Sequence, residues 1–258
     1  MGVITYEQRG SVASITLNRP EVLNAFNFDM LTELHAVIES IRIHPDIRIV
    51  LITGAGDKAF SVGADLKERR TLPDTLVKRN LNKFGEVFNA IESLPQPTIC
   101  ILNGYAFGGG LELALACDFR FAVQDIVVGL TETKLGIIPG AGGTQRLPRL
   151  IGEAKALEMI LCAKKITSEE GLAYGLFTKV IKRPSLTEEV SHFVNSILDN
   201  APIAVQQAKF AVKQGLKVDL HTGLQIERKA YEITLPTEDR IEALNAFVEK
   251  RAAQFKGK

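Results

Sequence analysis

Two glutamates in contrasting surroundings are the residues of this sequence best suited to chemistry. Glu112 lies inside the apolar run "GGGLELALACD" (108–118), and Glu132 lies twenty residues later between two threonines in "LTETKLG" (130–136). Two carboxyls that converge on one water can divide the addition of water to a polarised double bond. One carboxylate accepts a proton from the water while the other, protonated, delivers a proton to carbon. An apolar pocket helps because burial raises the pKa of a carboxyl towards neutrality.

Each glutamate also has a structural explanation that the sequence leaves open. Glu112 falls in the first turns of a predicted helix, where an acid interacts favourably with the helix dipole. Glu132 follows a predicted strand and is placed to take part in capping the next element. Convergence of the two carboxyls is therefore a prediction about the fold, since spacing along the chain does not determine it.

Three consecutive glycines, 108–110, precede Glu112. They connect a buried strand that ends near Gly104 to the start of a helix, where N–H groups lack intrahelical partners and carry positive dipole character. Glycine removes the Cβ that would keep a ligand oxygen away from such N–H groups, so an anion or oxyanion site is predicted. Close packing of the helix start on the sheet is the alternative. A nucleotide loop is not indicated: "GYAFGGG" (104–110) lacks GxGxxG, and "GAGGTQR" (140–146) lacks the P-loop lysine.

Alternating strand and helix patterns position these residues. Residues 11–18 ("SVASITLN") alternate as a strand does, and 28–41 have helical spacing with Asn27 as the predicted cap. The remaining strands expected before residue 150 are 47–54, 98–104, 119–123 and 127–130, with a helix over 76–94. Apolar strands that alternate with helices indicate an α/β fold around a mostly parallel sheet.

From Gly152 onward the pattern is almost entirely helical. The predicted helices are 153–166, 187–198, 202–216, 219–233 and 237–255, separated by Gly or Pro. The sequence therefore predicts an α/β core over 1–190 and a helical portion over 191–258. The apolar faces of that portion require a partner, which self-association would supply.

Composition excludes several classes of protein. The 258 residues carry a net charge of +1, from 31 basic and 30 acidic side chains, so neither nucleic acid nor a membrane surface is an expected partner. No apolar run approaches the ~20 residues that span a bilayer, and the first residues lack a signal-peptide pattern, so a cytoplasmic protein is expected. Cys100, Cys117 and Cys162 form no CxxC and are predicted to be reduced core thiols. The four histidines lack metal-site spacing, so no metal is expected.

The chain resembles the enoyl-CoA hydratase/isomerase (crotonase) superfamily along essentially its whole length. The stretches that carry the resemblance are "ITLNRPEVLNAF" (15–26), "AFSVGADLKE" (59–68), "NGYAFGGGLELALACD" (103–118), "GLTETKLGIIPGAGGTQRLPR" (129–149) and "AFVEKRAAQFKG" (246–257). The resemblance implies a crotonase fold, in which ββα turns form a spiral followed by a helical C-terminal trimerisation region. It also implies a homotrimer or a dimer of trimers, and an acyl-CoA thioester as the substrate.

The resemblance also assigns roles to individual residues. It implies that Glu112 and Glu132 hold the catalytic water, with the N–H of Gly140 helping to position it. The N–H groups of Ala64 and Gly109 would form the oxyanion hole for the thioester carbonyl. No metal or redox cofactor is implied, because coenzyme A arrives as part of the substrate.

Contacts to coenzyme A follow from the same resemblance. The backbone positions that it assigns to the adenine pocket are Val62, Asp65 and Leu66. Lys67 either approaches a phosphate or is an ordinary surface lysine. Phe247 and Lys250 match tail residues that reach the coenzyme A site of a neighbouring subunit, although Phe247 is equally consistent with a core position.

Among the reactions of the superfamily, the sequence favours hydration, since isomerases generally manage with one of the two glutamates. The motifs look most like those of methylglutaconyl-CoA hydratases, including an RNA-binding branch, so the expected substrates are 3-methylglutaconyl-CoA in leucine breakdown or short-chain enoyl-CoA esters. An isomerase or other acyl-CoA enzyme, an RNA-binding protein and a non-catalytic scaffold are the alternatives. RNA binding is not favoured because the early helix has no lysine and only Arg42 as a basic side chain.

Overall fold

The first two strands form a hairpin that their alternating sequence explains. In the computed structural model, which describes residues 2–258, β1 (Ile4–Arg9) pairs antiparallel with β2 (Val12–Leu17). Every second residue of β2 from Ala13 onward is buried, as expected for a strand with one face on the core. Gly10 takes a left-handed φ of 56° in the turn. The predicted strand over 11–18 is confirmed.

Eight further strands follow in the described chain, and with the hairpin they form two sheets. They are β3 (Ile49–Gly54), β4 (Ala59–Ser61), β5 (Thr98–Leu102), β6 (Tyr105–Phe107), β7 (Phe119–Val123), β8 (Val127–Gly129), β9 (Lys165–Thr167) and β10 (Lys179–Ile181). The larger sheet has the order β1-β2-β3-β5-β7-β10 and is parallel from β2 onward. The smaller sheet has the order β4-β6-β8-β9, with only the β8–β9 pair antiparallel. Each of the pairs β3–β4, β5–β6 and β7–β8 therefore gives one strand to each sheet.

Eleven α-helices occur in residues 2–258. They are α1 (Phe28–Arg42), α2 (Leu66–Thr71), α3 (Asp74–Glu92), α4 (Gly109–Ala116), α5 (Gly143–Ile151), α6 (Glu153–Leu161), α7 (Ser168–Ala173), α8 (Leu186–Leu198), α9 (Pro202–Gly215), α10 (Leu220–Thr234) and α11 (Glu238–Glu249). Asn27 caps α1 as predicted, because its side chain accepts a hydrogen bond from the N–H of Met30 at 3.0 Å. None of these helices is long and apolar enough to cross a bilayer.

Apolar side chains at helical spacing explain how α1 and α3 bind the core. Leu34, Ile38 and Ile41 of α1 are fully buried. Phe84 and Phe88 of α3 pack edge to face, with ring centroids 5.6 Å apart. Helix α4 differs because all of its residues are buried, so this short helix is enclosed rather than amphipathic.

The chain divides into two compact units. The first comprises the residues up to Leu94 together with Thr98–Leu186, and the second comprises Pro95–Pro97 together with Thr187–Lys258. Both sheets belong to the first unit. The second unit is helical, and α9 and α10 approach closely enough that a Cβ on Gly223 would lie 3.5 Å from the Cα of Gly215.

Two helix predictions extend too far. The helix predicted over 153–166 ends at Leu161, after which Ala163 is left-handed (φ 47°) and Ile166 pairs with Val128 in the smaller sheet. Tertiary pairing overrides the local helical pattern there. The helix predicted over 237–255 ends at Glu249, where Lys250 takes a left-handed φ of 54°.

Two burial predictions also fail. Cys100 and Cys117 are buried thiols, but Cys162 is exposed just beyond the end of α6. A core position for Phe247 is also wrong within the single chain, since that side chain is 84% exposed. Cys162 is the C-cap of α6, and Phe247 lies on an exposed side of α11, so an apolar local sequence did not determine burial in either case.

Candidate active site

The catalytic residues implied by the sequence line one cavity in the first unit. Its volume is about 1110 Å³, sufficient for a substrate larger than a typical drug molecule. The implied catalytic positions that line it are Ala64, Gly109, Glu112, Glu132 and Gly140. The fold thus brings together residues from four separate loops and helix starts.

The amides of Ala64 and Gly109 lie side by side. A Cβ built on Gly109 would be 3.8 Å from the nitrogen of Ala64, and a Cβ on Gly63 would be 2.8 Å from the nitrogen of Gly109. Gly63 takes a left-handed φ of 87°, which together with this crowding explains why no side chain fits there.

Backbone hydrogen bonds fix the segment that presents Ala64. Phe26 donates its N–H to the carbonyl of Gly63 at 2.8 Å, and Asp65 donates its N–H to the carbonyl of Phe26 at 2.9 Å. Within residues 2–258, neither the N–H of Ala64 nor that of Gly109 donates to a backbone or side-chain acceptor of the chain. Two adjacent, unpaired donors on a hydrogen-bonded backbone are what an oxyanion requires.

The three glycines serve both purposes that the sequence suggests. Gly108 takes an unusual conformation (φ 50°, ψ −125°) at the start of α4. Gly109 lines the cavity, and its N–H has no acceptor in the described chain. Gly110 packs directly against the carbonyl of Ser61, so a Cβ there would overlap that oxygen. Ligand access and close packing are therefore both required, at adjacent positions.

Glu112 is a buried, hydrogen-bonded carboxylate. Its side chain is 3% exposed, and Oε1 accepts hydrogen bonds from the N–H groups of Ala141 and Gly143, both at 2.8 Å. Burial raises the pKa of Glu112, whereas these two hydrogen bonds and the charge of Arg146 act against that rise. Both bonds fall on Oε1, so in the described chain Oε2 is the oxygen on which no protein donor is placed.

Glu132 has a different environment. It begins a short 3-10 helix (Glu132–Leu135), and its Oε1 would lie 3.0 Å from a Cβ on Gly108. Its Oε2 is buried and has no hydrogen-bond partner within the described residues. Burial, and after it the negative charge of Glu112, raises the pKa of Glu132 to about 7. A carboxyl of this kind is protonated in a large fraction of molecules at neutral pH.

The two glutamates are close enough to interact across the cavity. Glu112 donates its backbone N–H to the carbonyl of Gly108 at 2.9 Å, and the Glu132 carboxyl packs on the same glycine. Glu112 accepts two hydrogen bonds that favour its ionised form, whereas the pKa of Glu132 is raised to about 7. Acid–base chemistry with two carboxyls needs unlike environments of this kind.

Sequence reasoning missed the donors that hold Glu112. Gly140 lines the cavity and lies next to Leu81: a Cβ built on Gly140 would be 2.7 Å from Cδ1 of Leu81. The N–H groups that donate to Glu112 belong to Ala141 and Gly143, and the water-positioning role of the Gly140 N–H stays a prediction. The run "PGAGG" (139–143) was the available signal, because a turn rich in glycine exposes several backbone donors.

The positions implied for coenzyme A differ in whether they line the cavity. Val62, Asp65 and Leu66 line the cavity, as does Ala64 among them. Lys67 is exposed and is not among the cavity-lining residues of the described chain. Asp65 has a further role: its side chain caps α2 and pairs with Arg19 at 3.1 Å.

Phe247 and Lys250 lie at the end of α11 in the second unit. Phe247 is exposed, and Lys250 forms the left-handed cap of the helix. Their contact with coenzyme A stays a prediction. Among residues 2–258, no cluster of three or more His, Cys, Asp or Glu side chains is arranged to hold a metal ion.

Comparison with known proteins identifies the family. The family model described as enoyl-CoA hydratase/isomerase matches residues 7–258. This chain belongs to the enoyl-CoA hydratase/isomerase family. The crystal structure of an enoyl-CoA hydratase from Bacillus anthracis is 45% identical, covers 99% of this chain and 100% of that one, and superimposes with a TM-score of 0.97. The crotonase fold and the enzymatic nature predicted from the sequence are confirmed.

Two relatives carry more specific names. A short-chain-enoyl-CoA hydratase from Clostridium acetobutylicum is 41% identical over 249 residues, which cover 96% of this chain and 95% of that protein. The human mitochondrial methylglutaconyl-CoA hydratase is 40% identical over 255 residues, which cover 97% of this chain and 75% of that protein. The resemblance to methylglutaconyl-CoA hydratases is therefore confirmed. The family implies an acyl-CoA thioester as substrate.

Proposed function

We propose that this protein hydrates a short-chain 2-enoyl-CoA thioester. The observation that carries the proposal is the pair of glutamates, which line the same cavity as two unpaired amides and differ in the hydrogen bonds that their carboxyls accept. Retention of both carboxyls favours hydration over double-bond isomerisation, which needs only one group to move a proton between two carbons.

The environments of the two glutamates assign their roles. Glu112, held by two N–H groups, is the carboxylate that accepts a proton from water as its oxygen bonds to the β-carbon. Glu132, whose pKa is raised to about 7, delivers its proton to the α-carbon. The product contains both elements of water, and a proton passing from Glu112 to Glu132 restores the starting state.

The amides of Ala64 and Gly109 stabilise the charge that this addition creates. Bonding of water to the β-carbon moves electron density through the double bond to the thioester oxygen. Two N–H donors at that oxygen stabilise the enolate more than the ground-state carbonyl, and one such donor contributes roughly 3–4 kcal/mol in related chemistry.

A branched, carboxylated substrate, 3-methylglutaconyl-CoA, is the second candidate. Three basic side chains line the cavity and are available to pair with an additional carboxylate: Arg69, Lys134 and Lys165. Activity on 3-methylglutaconyl-CoA would place the protein in leucine breakdown. The apolar side chains of Leu72, Val77 and Leu81, which also line the cavity, favour an uncharged acyl chain, and the short-chain ester is therefore placed first.

We infer a trimer or a dimer of trimers for the assembly. Large apolar side chains of the second unit are exposed in the single chain, among them Leu216 (83%), Leu220 (79%) and Phe247 (84%). Self-association would bury them. Light scattering coupled to size-exclusion chromatography tests this proposal, since a monomer mass of 28.2 kDa would contradict it.

The enzymatic test is the loss of the conjugated enoyl-thioester absorbance when the protein is mixed with crotonyl-CoA. We expect turnover, with a higher kcat/KM for crotonyl-CoA than for longer enoyl-CoAs or 3-methylglutaconyl-CoA. A preference for 3-methylglutaconyl-CoA would replace the first candidate with the second. Absence of turnover with all of these esters would remove hydration altogether.

The oxyanion hole has a matched pair of variants. Gly63→Ala places a Cβ 2.8 Å from the nitrogen of Gly109 and should lower kcat by roughly 10²–10³-fold. Gly10→Ala introduces the same left-handed strain in open space, so it should reduce stability by about 1–3 kcal/mol without lowering kcat. Equal activity in the two variants would remove the amides from the mechanism.

A further inference from the structure

Arg146 on α5 makes a set of contacts that the hydration chemistry leaves unexplained. Its side chain is only 13% exposed. Nη1 donates to the carbonyl of Ala141 at 2.9 Å, and Nη2 donates to Oδ1 of Asn89 and to Oε2 of Glu92, both at 2.7 Å. One guanidinium therefore joins the C-terminal end of α3 to the turn that precedes α5.

That turn is the one that holds Glu112. Ala141 accepts from Arg146 through its carbonyl and donates to Oε1 of Glu112 through its N–H. Gly143, two residues later, donates to the same oxygen. Arg146 thus acts on the carboxylate through a single residue on one side of the turn, although it does not itself line the cavity in the described chain.

The local backbone is shaped around this guanidinium. Gly142 takes a left-handed φ of 108°, and a Cβ at that position would overlap Nη1 of Arg146. The N–H of Arg146 also donates to the carbonyl of Gly142 at 2.8 Å. Glycine is favoured at position 142 because the backbone there takes a left-handed φ, and the guanidinium of Arg146 occupies the space beside it.

We propose that Arg146 is a positioning residue for the reaction. By tying the 141–143 turn to α3, it fixes the two amides that hold Oε1 of Glu112, and thereby the direction in which Oε2 faces the reacting carbons. This inference rests on the proposed function, because it gives Glu112 the role of base. Orientation of this kind is catalytically significant, since a displacement of 1 Å can reduce a rate by about 10²-fold.

The charge of Arg146 also favours the ionised form of Glu112. It opposes the rise that burial causes in the pKa of Glu112, whereas Glu132 faces Glu112 as a second acid, and Glu92 offsets part of the arginine's charge. The other charged side chains that line the cavity are Asp65, Glu68, Arg69, Lys134 and Lys165. Of all these groups, Arg146 is the cation that acts on Glu112.

A purely structural role is the competing explanation, and Arg42 provides the matched control. Arg42 joins α1 to the same end of α3, donating to the carbonyls of Ser93 at 3.0 Å and Ala90 at 2.9 Å. It makes no contact with Glu112 or with the 141–143 turn in the described chain. Arg42→Gln therefore removes a comparable link between elements without touching the catalytic carboxylate.

The experiment compares Arg146→Gln, Glu92→Gln and Arg42→Gln with the wild-type enzyme over a range of pH. For Arg146→Gln we expect kcat with crotonyl-CoA to fall by roughly 10–10²-fold, with KM changing less than about 3-fold. The acidic limb of the kcat/KM profile should move to higher pH by roughly half a unit or more. In Glu92→Gln the limb should move to lower pH, because the charge of Arg146 is no longer offset. Arg42→Gln should leave both kcat and the limb unchanged.

Opposite displacements in the first two variants support the proposal, because loss of structure alone moves both in one direction or neither. A folded Arg146→Gln that retains the kcat and acidic limb of Arg42→Gln overturns it. If Arg146→Gln does not fold, Glu92→Gln and Arg146→Lys, which keeps the charge but loses the several directed N–H donors of the guanidinium, decide the question by the same readouts.

A second readout separates this inference from the proposed function. Carbon-13 NMR of the glutamate side-chain carboxyls reports the pKa of Glu112 without any turnover. If wild-type protein hydrates no enoyl-CoA but the pKa of Glu112 still rises in Arg146→Gln, hydration fails while the electrostatic link stands. If the wild-type enzyme is active and Arg146→Gln changes neither kcat nor that pKa, the positioning role fails alone.

Discussion

The turn that holds Glu112 and the short helix that carries Glu132 place the same functional group in opposite surroundings. Glu112 is almost completely buried, yet one of its oxygens accepts two backbone hydrogen bonds and an arginine acts on it. Glu132 is more open, yet its Oε2 is buried without a partner in the described chain, and its pKa is raised to about 7. Depth of burial alone would give Glu112, the more buried of the two, the larger rise in pKa.

Hydrogen bonds therefore oppose the rise that depth of burial causes in the pKa of Glu112. A carboxylate loses its hydration when buried, and N–H donors replace that hydration only where the backbone offers them. The 141–143 turn offers two such donors, and the 3-10 helix at Glu132 directs none onto Oε2. The following predictions test this contrast, from the largest effect to the smallest.

Removal of either carboxyl's charge and acidity should have the largest effect. Glu112→Gln and Glu132→Gln should each lower kcat/KM for crotonyl-CoA by at least ~10², because each removes one of the two proton transfers. Glu153→Gln, an exposed change at the start of α6, serves as the control and should be neutral. A nearly wild-type rate in either of the first two variants excludes that residue from the mechanism.

Displacement of each carboxyl without altering its chemistry should have an intermediate effect. A Cβ on Gly143 would lie 2.9 Å from Oε1 of Glu112, and one on Gly108 would lie 3.0 Å from Oε1 of Glu132. Gly143→Ala also crowds the neighbouring side chains of Leu130 and Pro139, so its kcat should fall by about 10–10²-fold, and that of Gly108→Ala by less. Steady-state assays check the order, with Gly152→Ala, left-handed and in open space, as the strain control. A larger loss in Gly108→Ala would reverse the contrast.

The smallest effect should appear in stability. The folded state keeps Glu132 protonated up to about pH 7, whereas the unfolded carboxyl ionises near 4.5, so the folded state binds more protons between these values. Stability therefore falls as pH rises through that window. Glu132→Gln lacks the penalty, and its Tm should exceed that of the wild type at pH 8 by more than at pH 5. An unchanged difference between the two pH values contradicts the raised pKa.

Much of the fold and the site could be predicted because the sequence encodes them locally. Asn27 caps the helix that its side chain suggested, and the apolar strands before residue 130 lie where their runs placed them. The two glutamates and the glycine-rich helix start were recognisable because unusual residues in an apolar context require an explanation. Such features depend on neighbours within a few positions along the chain.

Features that depend on distant partners could not be predicted in the same way. Strand β9 interrupts a helical pattern because Ile166 pairs with Val128, almost forty residues earlier. The bonds from the 141–143 turn to Glu112 span 29 and 31 residues, and the contact of Arg146 with Glu92 spans 54. Sequence alone did not assign the amides of Ala141 and Gly143 to Glu112, since nothing local distinguishes one amide of that turn from the next.

The most direct test of the central claim is a carbon-13 NMR titration of the glutamate carboxyls, assigned with Glu112→Gln and Glu132→Gln. The contrast predicts that Glu132 titrates near pH 7 and that Glu112 titrates below it. A Glu132 midpoint near the ordinary value of 4.5, or a Glu112 midpoint above that of Glu132, would contradict the assignment of Glu112 as base and Glu132 as acid.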